Sequence, residues 1–154
     1  MRLSTKAQYA VRALVDLSLH SGGRPVALRE ISRREDIPLH YLEQLFLRLK
    51  KGDIIRSVRG PGGGYILARQ SAEIKVSEII TTVEETLNPV SCLDDKHASC
   101  VRGNRCVTRN VWKGLGERIR GFLDSINLED LTREAREKLQ HPPSTEEKPA
   151  VILS

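Results

Sequence analysis

Apolar residues recur at helical spacing through the first fifty positions and stop wherever glycine or proline intervenes. Ala7, Ala10, Val11, Leu14 and Leu17 form one stripe, so a first helix is predicted from a cap at Ser4 or Thr5 to about residue 21. Ser21-Gly22-Gly23-Arg24-Pro25 breaks it. Leu28 and Ile31 mark a second helix over about 27–35, and Asp36-Ile37-Pro38 makes a tight turn. A third helix follows over about 39–51. It carries Leu42, Leu45, Phe46 and Leu49 inward, with His40, Tyr41, Glu43, Gln44 and Arg48 mostly outward. Two short helices joined by a tight turn are a helix-turn-helix, whose second helix normally enters a major groove.

Beyond Gly52-Asp53 the pattern changes to short β-like runs, 54–58 and 65–67, separated by Arg59-Gly60-Pro61-Gly62-Gly63-Gly64. That is a hairpin with a tip too glycine-rich to pack, and a helix-turn-helix followed by a hairpin is a winged helix. A phosphate-cradling loop would need Gly-Lys-Ser/Thr opening a helix, which does not follow here. A fourth helix is predicted over 76–85, capped near Lys75 and ended by Asn88-Pro89. The longest helix is predicted over about 108–125. There Val107, Val111, Leu115, Ile119, Phe122 and Ile126 recur every three or four residues, with Trp112 beside them. The first three helices already supply a core, so this stripe reads as a dimer seam in preference to a core stripe. Ser125 or Asn127 caps a last short helix through residue 139, and the proline- and charge-rich tail is expected to be disordered.

The predicted fold is therefore mainly α: a winged helix-turn-helix with a small β-hairpin wing and a long C-terminal dimerisation helix. Residues 1–86 form the DNA-binding domain and 87–107 a cysteine loop. Residues 108–139 form the dimerisation helix with a short following helix, and 140–154 the tail.

Charge sharpens this picture. Residues 1–70 hold 13 Lys/Arg against 6 Asp/Glu, a balance of +7, whereas residues 71–154 hold 12 against 14. A basic half facing a polyanion fits the winged helix. Within it, Glu43 suits cytosine N4 and Gln44 suits adenine N6 and N7. Tyr41 and Arg48 suit phosphates, and Arg59 suits a narrow minor groove. Gly60, Gly62 and Gly63 let the wing backbone approach the sugar–phosphate rail, with His40 and Tyr65 flanking these elements. Arg2, Lys6, Arg12, Arg29, Arg33, Arg34, Lys50, Lys51 and Arg56 add a phosphate-binding field, which would make affinity strongly salt-dependent.

All three cysteines, Cys92, Cys100 and Cys106, fall in one 15-residue window, spaced x7 and x5. Structural zinc sites use shorter Cys-x2–4-Cys pairs. Longer gaps on an irregular loop with Lys96, Arg102, Arg105 and Arg109 nearby suit an iron–sulfur cluster. Zinc, and three ordinary reduced thiols, are the other readings. A fourth ligand is open among His97, Asp94, Asp95, a residue of a partner subunit, and a small external ligand.

Met1-Arg2-Leu3-Ser4-Thr5-Lys6-Ala7-Gln8-Tyr9-Ala10, then Tyr41-Leu42-Glu43-Gln44-Leu45-Phe46, then Val58-Arg59-Gly60-Pro61-Gly62-Gly63-Gly64-Tyr65, then three cysteines before a long helix, closely resemble the IscR/NsrR-type winged-helix regulators. The resemblance covers about residues 1–130 and is nearest to the IscR type. It implies a homodimer bound to a double-stranded operator of two half-sites, with Glu43, Gln44 and Arg59 at the DNA. It also implies an iron–sulfur cluster, 2Fe–2S or 4Fe–4S, on the three cysteines, and control of iron–sulfur cluster assembly genes. Two positions depart from the pattern. Arg109 stands where IscR-type loops place a histidine ligand in Cys-x2-His. Gln8 stands near where NsrR-type proteins can supply an acid from the partner. His97 ranks ahead of an external ligand for the fourth position.

Two further readings remain: a cluster-free regulator switched by thiol oxidation, and a winged-helix module that binds proteins. An enzyme is not expected, since His20, His40, His97 and His141 are dispersed and no nucleophilic triad emerges. No apolar run reaches the length of a membrane span and no signal-peptide core opens the chain, so a cytoplasmic protein without membrane partners is expected.

Overall fold

The computed structural model describes residues 3–84, 86–94 and 101–142. Helix α1 (Thr5–Ser21) starts where Ser4 Oγ accepts from the Ala7 amide at 3.3 Å, and it ends at Gly22. Helix α2 (Leu28–Glu35) ends at Asp36, whose positive φ of 53° sends its amide back to the Ser32 carbonyl. Asp tolerates that conformation better than most side chains. Pro38 then opens helix α3 (Leu39–Lys51). Phe46, Leu42 and Leu49 of α3 pack on Leu14 and Leu17 of α1 and Ile31 of α2, all fully buried. The inward faces of these three helices make the centre of the core, which Ile55, Ile74, Ile79 and Leu128 complete.

The wing is an antiparallel pair, β1 (Ile55–Val58) and β2 (Gly64–Leu67), in register Ile55 with Leu67 and Val58 with Gly64. It is tied to the helices twice. Val26 and Tyr65 exchange backbone hydrogen bonds of 3.0 and 2.9 Å, and the Tyr65 ring stands edge-on to Phe46 with centroids 5.0 Å apart. At the tip the Gly63 amide donates to the Gly60 carbonyl at 2.9 Å. Pro61 and Gly62, with φ of 73° at Gly62, fit a type II turn.

Helix α4 (Val76–Val83) is two residues shorter than the periodicity predicts. Glu84 leaves the helix, and its carboxylate takes both the amide and the hydroxyl of Ser4. Helix α5 (Arg109–Asp124) runs alongside α4, where Ser77 donates to Asp124. Its one buried residue is Gly116, against Pro89. Helix α6 (Leu128–Gln140) is capped reciprocally by Asn127 and Asp130 and lies along α1. Its first residue, Leu128, is fully buried in the main core, and the Leu128 amide donates to the Ile74 carbonyl at 2.8 Å.

Candidate functional site

Helix α3 offers its outward face ready-made. With Leu42, Leu45, Phe46 and Leu49 turned inward, His40, Glu43 and Gln44 are exposed on the opposite side. Among the described residues no ion pair engages Glu43, so its carboxylate is available to accept from a base edge. Arg59, Gly60 and Gly62 are exposed at the wing, while Gly63 is half-buried. Lys6 is exposed on the first turn of α1. Arg2 lies outside the described residues.

Three predicted contacts have structural duties. The Tyr41 ring packs edge-on to Tyr9 at 5.5 Å, and Tyr65 anchors the wing as described. Arg48 donates from Nη1 to the Val83 carbonyl at 2.8 Å, joining α3 to the end of α4. The phosphate field is also thinner than the charge count suggests. Arg34 forms a two-pronged pair with buried Asp16, at 2.8 and 2.9 Å. That hydrogen bond raises its pKa further above the ordinary arginine value, ahead of a smaller opposing effect of burial. Arg12 is held by the Glu35 carboxylate at 3.2 Å and stacks on Tyr9. Arg29, Arg33, Lys50, Lys51 and Arg56 remain exposed. Sequence reasoning missed the Asp16–Arg34 clamp. Its signal was a single acid inside the apolar stripe of α1.

The described parts of the cysteine loop are residues 87–94 and 101–107, the second leading directly into α5. Cys92 lies on a 3-10 turn (Ser91–Leu93) and Cys106 just before α5, both free and half-buried. The first limb of the loop is well braced. Asp94 accepts from Thr86 Oγ1 and from Asn88 Nδ2, each at 2.8 Å, and Asn88 also donates to the Leu93 carbonyl at 3.2 Å. Cys106 Sγ is 3.2 Å from Thr108 Oγ1. That hydrogen bond is the main cause holding the thiol below its ordinary pKa, helped by backbone amides and the Arg102 charge. A cavity of about 410 Å³ opens beside Cys106, lined also by Asn88, Leu93, Arg109, Lys113 and Arg120. Arg109 and Cys106 therefore line the same hollow. Gln8 lines a different, apolar hollow between the start of α1 and α5, with Leu87, Ile119 and Phe122.

Thiols beside cations, the Cys106 thiol held below its ordinary pKa, are the donor chemistry an iron–sulfur cluster uses. Cys100, His97 and Asp95 lie outside the described residues. Among the described residues no three His, Cys, Asp or Glu side chains gather as a metal site, so the described part supplies two of the three expected sulfurs. Along α5, Val111, Trp112, Leu115 and Phe122 are between 38% and 60% exposed among the described residues, an apolar strip on one helix. No described helix is long and apolar enough to cross a membrane.

Comparison with known proteins agrees with this geometry. Residues 3–134 match the Rrf2 family, described as an iron-dependent transcriptional regulator. The HTH-type transcriptional regulator IscR of Photorhabdus laumondii is 49% identical over 131 residues, 85% of this chain and 79% of that protein. IscR of Serratia proteamaculans is 48% identical over the same shares. Among solved structures, IscR of T. potens is 38% identical, superimposes with a TM-score of 0.75 and covers 94% of each chain. CymR, the global cysteine regulator of B. subtilis, is 30% identical with a TM-score of 0.72, covering 87% of this chain and 98% of CymR.

Proposed function

This chain belongs to the Rrf2 family and is a DNA-binding transcription regulator of the IscR type rather than an enzyme, and from that premise we propose that it acts as a homodimer whose operator affinity is set by an iron–sulfur cluster on Cys92, Cys100 and Cys106. The observation that carries this reading is positional. Cys106 stands three residues before α5, beside a hollow that Leu93, the neighbour of Cys92, also lines, and α5 is the helix that carries the exposed apolar strip. A ligand-bearing loop beside a dimer seam can report its occupancy to both subunits.

Cys92, Cys100 and Cys106 would hold the cluster, with His97 the favoured fourth ligand. When bound, the cluster would supply redox-sensitive iron–sulfur chemistry, through which oxygen, nitric oxide or iron–sulfur supply could be sensed. The residues of this chain do the rest. Thr108 and Arg102 favour the thiolate form of Cys106. Asp94, Thr86 and Asn88 fix the limb that carries Cys92. The base of that limb meets the DNA-reading head at adjacent residues: Glu84 caps α1 through Ser4, and Val83 receives Arg48 from α3. A change in the loop can thus bias the placement of the recognition helix, provided loaded and empty forms differ in these contacts. The operator is read in the cytoplasm, with α3 in successive major grooves and the wings against the minor groove. Cluster assembly genes are the expected targets.

The test is an anaerobic operator-binding titration before and after removing iron with a chelator, at several salt concentrations. The reading expects a salt-dependent complex whose affinity changes on iron removal, and an unchanged affinity would count against it. One observation favours a second reading. The lowered pKa of Cys106 also suits direct oxidation by peroxide, which would give a sulfenic acid and water. Iron and sulfide analysis of anaerobically purified protein separates the two.

A further inference from the structure

Helix α3 is 13 residues long and its inward face is complete with Leu42, Leu45, Phe46 and Leu49, each 3% exposed or less. One further large apolar residue of the helix interior, Leu47, belongs to neither that face nor its edge. It is 56% exposed. At about 100° per residue it points some 200° away from Leu49, into the middle of the polar face. Its neighbours one turn back, at i−4 and i−3, are Glu43 and Gln44, and His40 lies one turn further. Helical side chains lean toward the N-terminus, so the Leu47 methyl groups lie over the turn that carries Glu43 and Gln44.

A solitary exposed leucine needs no explanation on an arbitrary surface. This one sits among the groups that read base edges. The other exposed apolar side chains that cluster, Val111, Trp112, Leu115 and Phe122, are on α5. A second copy of the chain, which suits that strip, has no comparable patch to find on α3. What a major groove offers beside hydrogen-bonding edges is a single kind of apolar group, the C5-methyl of thymine.

We propose that Leu47 is a specificity-determining residue that packs on a thymine C5-methyl, next to the base pairs read by Glu43 and Gln44. The inference rests on the DNA-binding reading and goes beyond it. Glu43 accepts from cytosine, Gln44 bonds adenine, and Leu47 adds a third and chemically different discriminator, one that recognises shape without a hydrogen bond. Because more than half of the side chain is solvated in the free protein, its contact with DNA forms only on binding, and its removal costs the fold little beyond a small loss of helix propensity.

The test uses the full-length protein and Leu47→Ser, each selecting duplexes from a random pool. Every thymine of the wild-type consensus is then replaced singly by deoxyuridine, which differs only in lacking the methyl group. The wild type should select a thymine in each half-site whose replacement weakens binding about fourfold, the effect of one buried methyl group. Leu47→Ser should bind thymine and deoxyuridine duplexes alike, with the thermal midpoint and salt slope of the wild type. Indifference of the wild type to deoxyuridine at every position overturns the inference while leaving operator binding intact, as does undiminished discrimination by Leu47→Ser. A wild type that enriches no sequence overturns both the inference and the DNA-reading function beneath it.

Discussion

Arg48 of the recognition helix and Val83 at the last turn of α4 are joined by a charged hydrogen bond of 2.8 Å. The next residue, Glu84, receives the amide of Ser4 at 3.2 Å and so holds the start of α1. The recognition helix and the base of the cysteine loop therefore share one short stretch of backbone.

Replacing Arg48 with alanine should loosen that joint. The bond is partly exposed, so the loss of stability should be about 1 kcal/mol in a urea titration. The larger effect should be functional: the difference in operator affinity between iron-loaded and iron-depleted protein should shrink. An Arg48 that serves only as a phosphate contact would instead weaken both forms equally.

The wing depends on a residue with no side chain. A Cβ on Gly64 would stand 2.3 Å from the Val26 carbonyl oxygen and 2.8 Å from the Ala27 amide, both backbone atoms that cannot turn aside. Gly64→Ala should destabilise the protein by about 1–3 kcal/mol, as overpacking does, and dislodge β2 from Val26. Thermal unfolding with an operator-binding assay checks this, and wild-type values for both would contradict the placement.

Much of this fold was legible in the chain. The three core helices, the wing and the Asn127 cap follow from apolar spacing, glycine and proline punctuation and a short polar cap, all local signals. What stayed hidden depends on partners distant in sequence. Asp16 looks like a flaw in the stripe of α1 until Arg34, 18 residues on, is seen to hold it. Arg34 and Arg12 counted toward a phosphate field and are held by Asp16 and Glu35 instead. Glu84 leaves α4 early because Ser4, 80 residues away, takes its carboxylate. The return of α6 onto α1 was equally invisible, since its stripe does not say which face it meets. Of the cysteine site, the gathering of three thiols in one window is visible in the chain, while the hydrogen bonds of Asp94 and the contact of Cys106 with Thr108 emerge only from the fold.

The thiol of Cys106 makes a pH prediction. Its folded pKa is depressed, chiefly by Thr108, so in iron-free protein the thiolate is favoured by folding. The associated stability is present above the unfolded pKa and is lost as pH falls through the folded value. Alkylation of Cys106, followed by mass spectrometry against pH, should have a midpoint below that of an ordinary thiol. Thr108→Val should move the midpoint up. Identical profiles for the two proteins would show that the hydroxyl has no such role.

The exposed strip of α5 should be a subunit contact. Phe122 is 52% exposed and Leu115 38%, and a charge at either position is incompatible with a buried seam. Phe122→Glu should raise the dimer dissociation constant by roughly thirtyfold or more, the scale of a 2 kcal/mol interface residue, while leaving thermal stability of the monomer near the wild type. Sedimentation equilibrium reads this directly, and an unaltered association state would place the dimer elsewhere.

What the three sulfurs hold is measured most directly by anaerobic Mössbauer spectroscopy of freshly isolated, iron-57-labelled protein. It should show the quadrupole doublets of an iron–sulfur cluster in the wild type, lost on Cys92→Ala. A spectrum without cluster iron, or one that Cys92→Ala leaves unchanged, would contradict a cluster on these sulfurs.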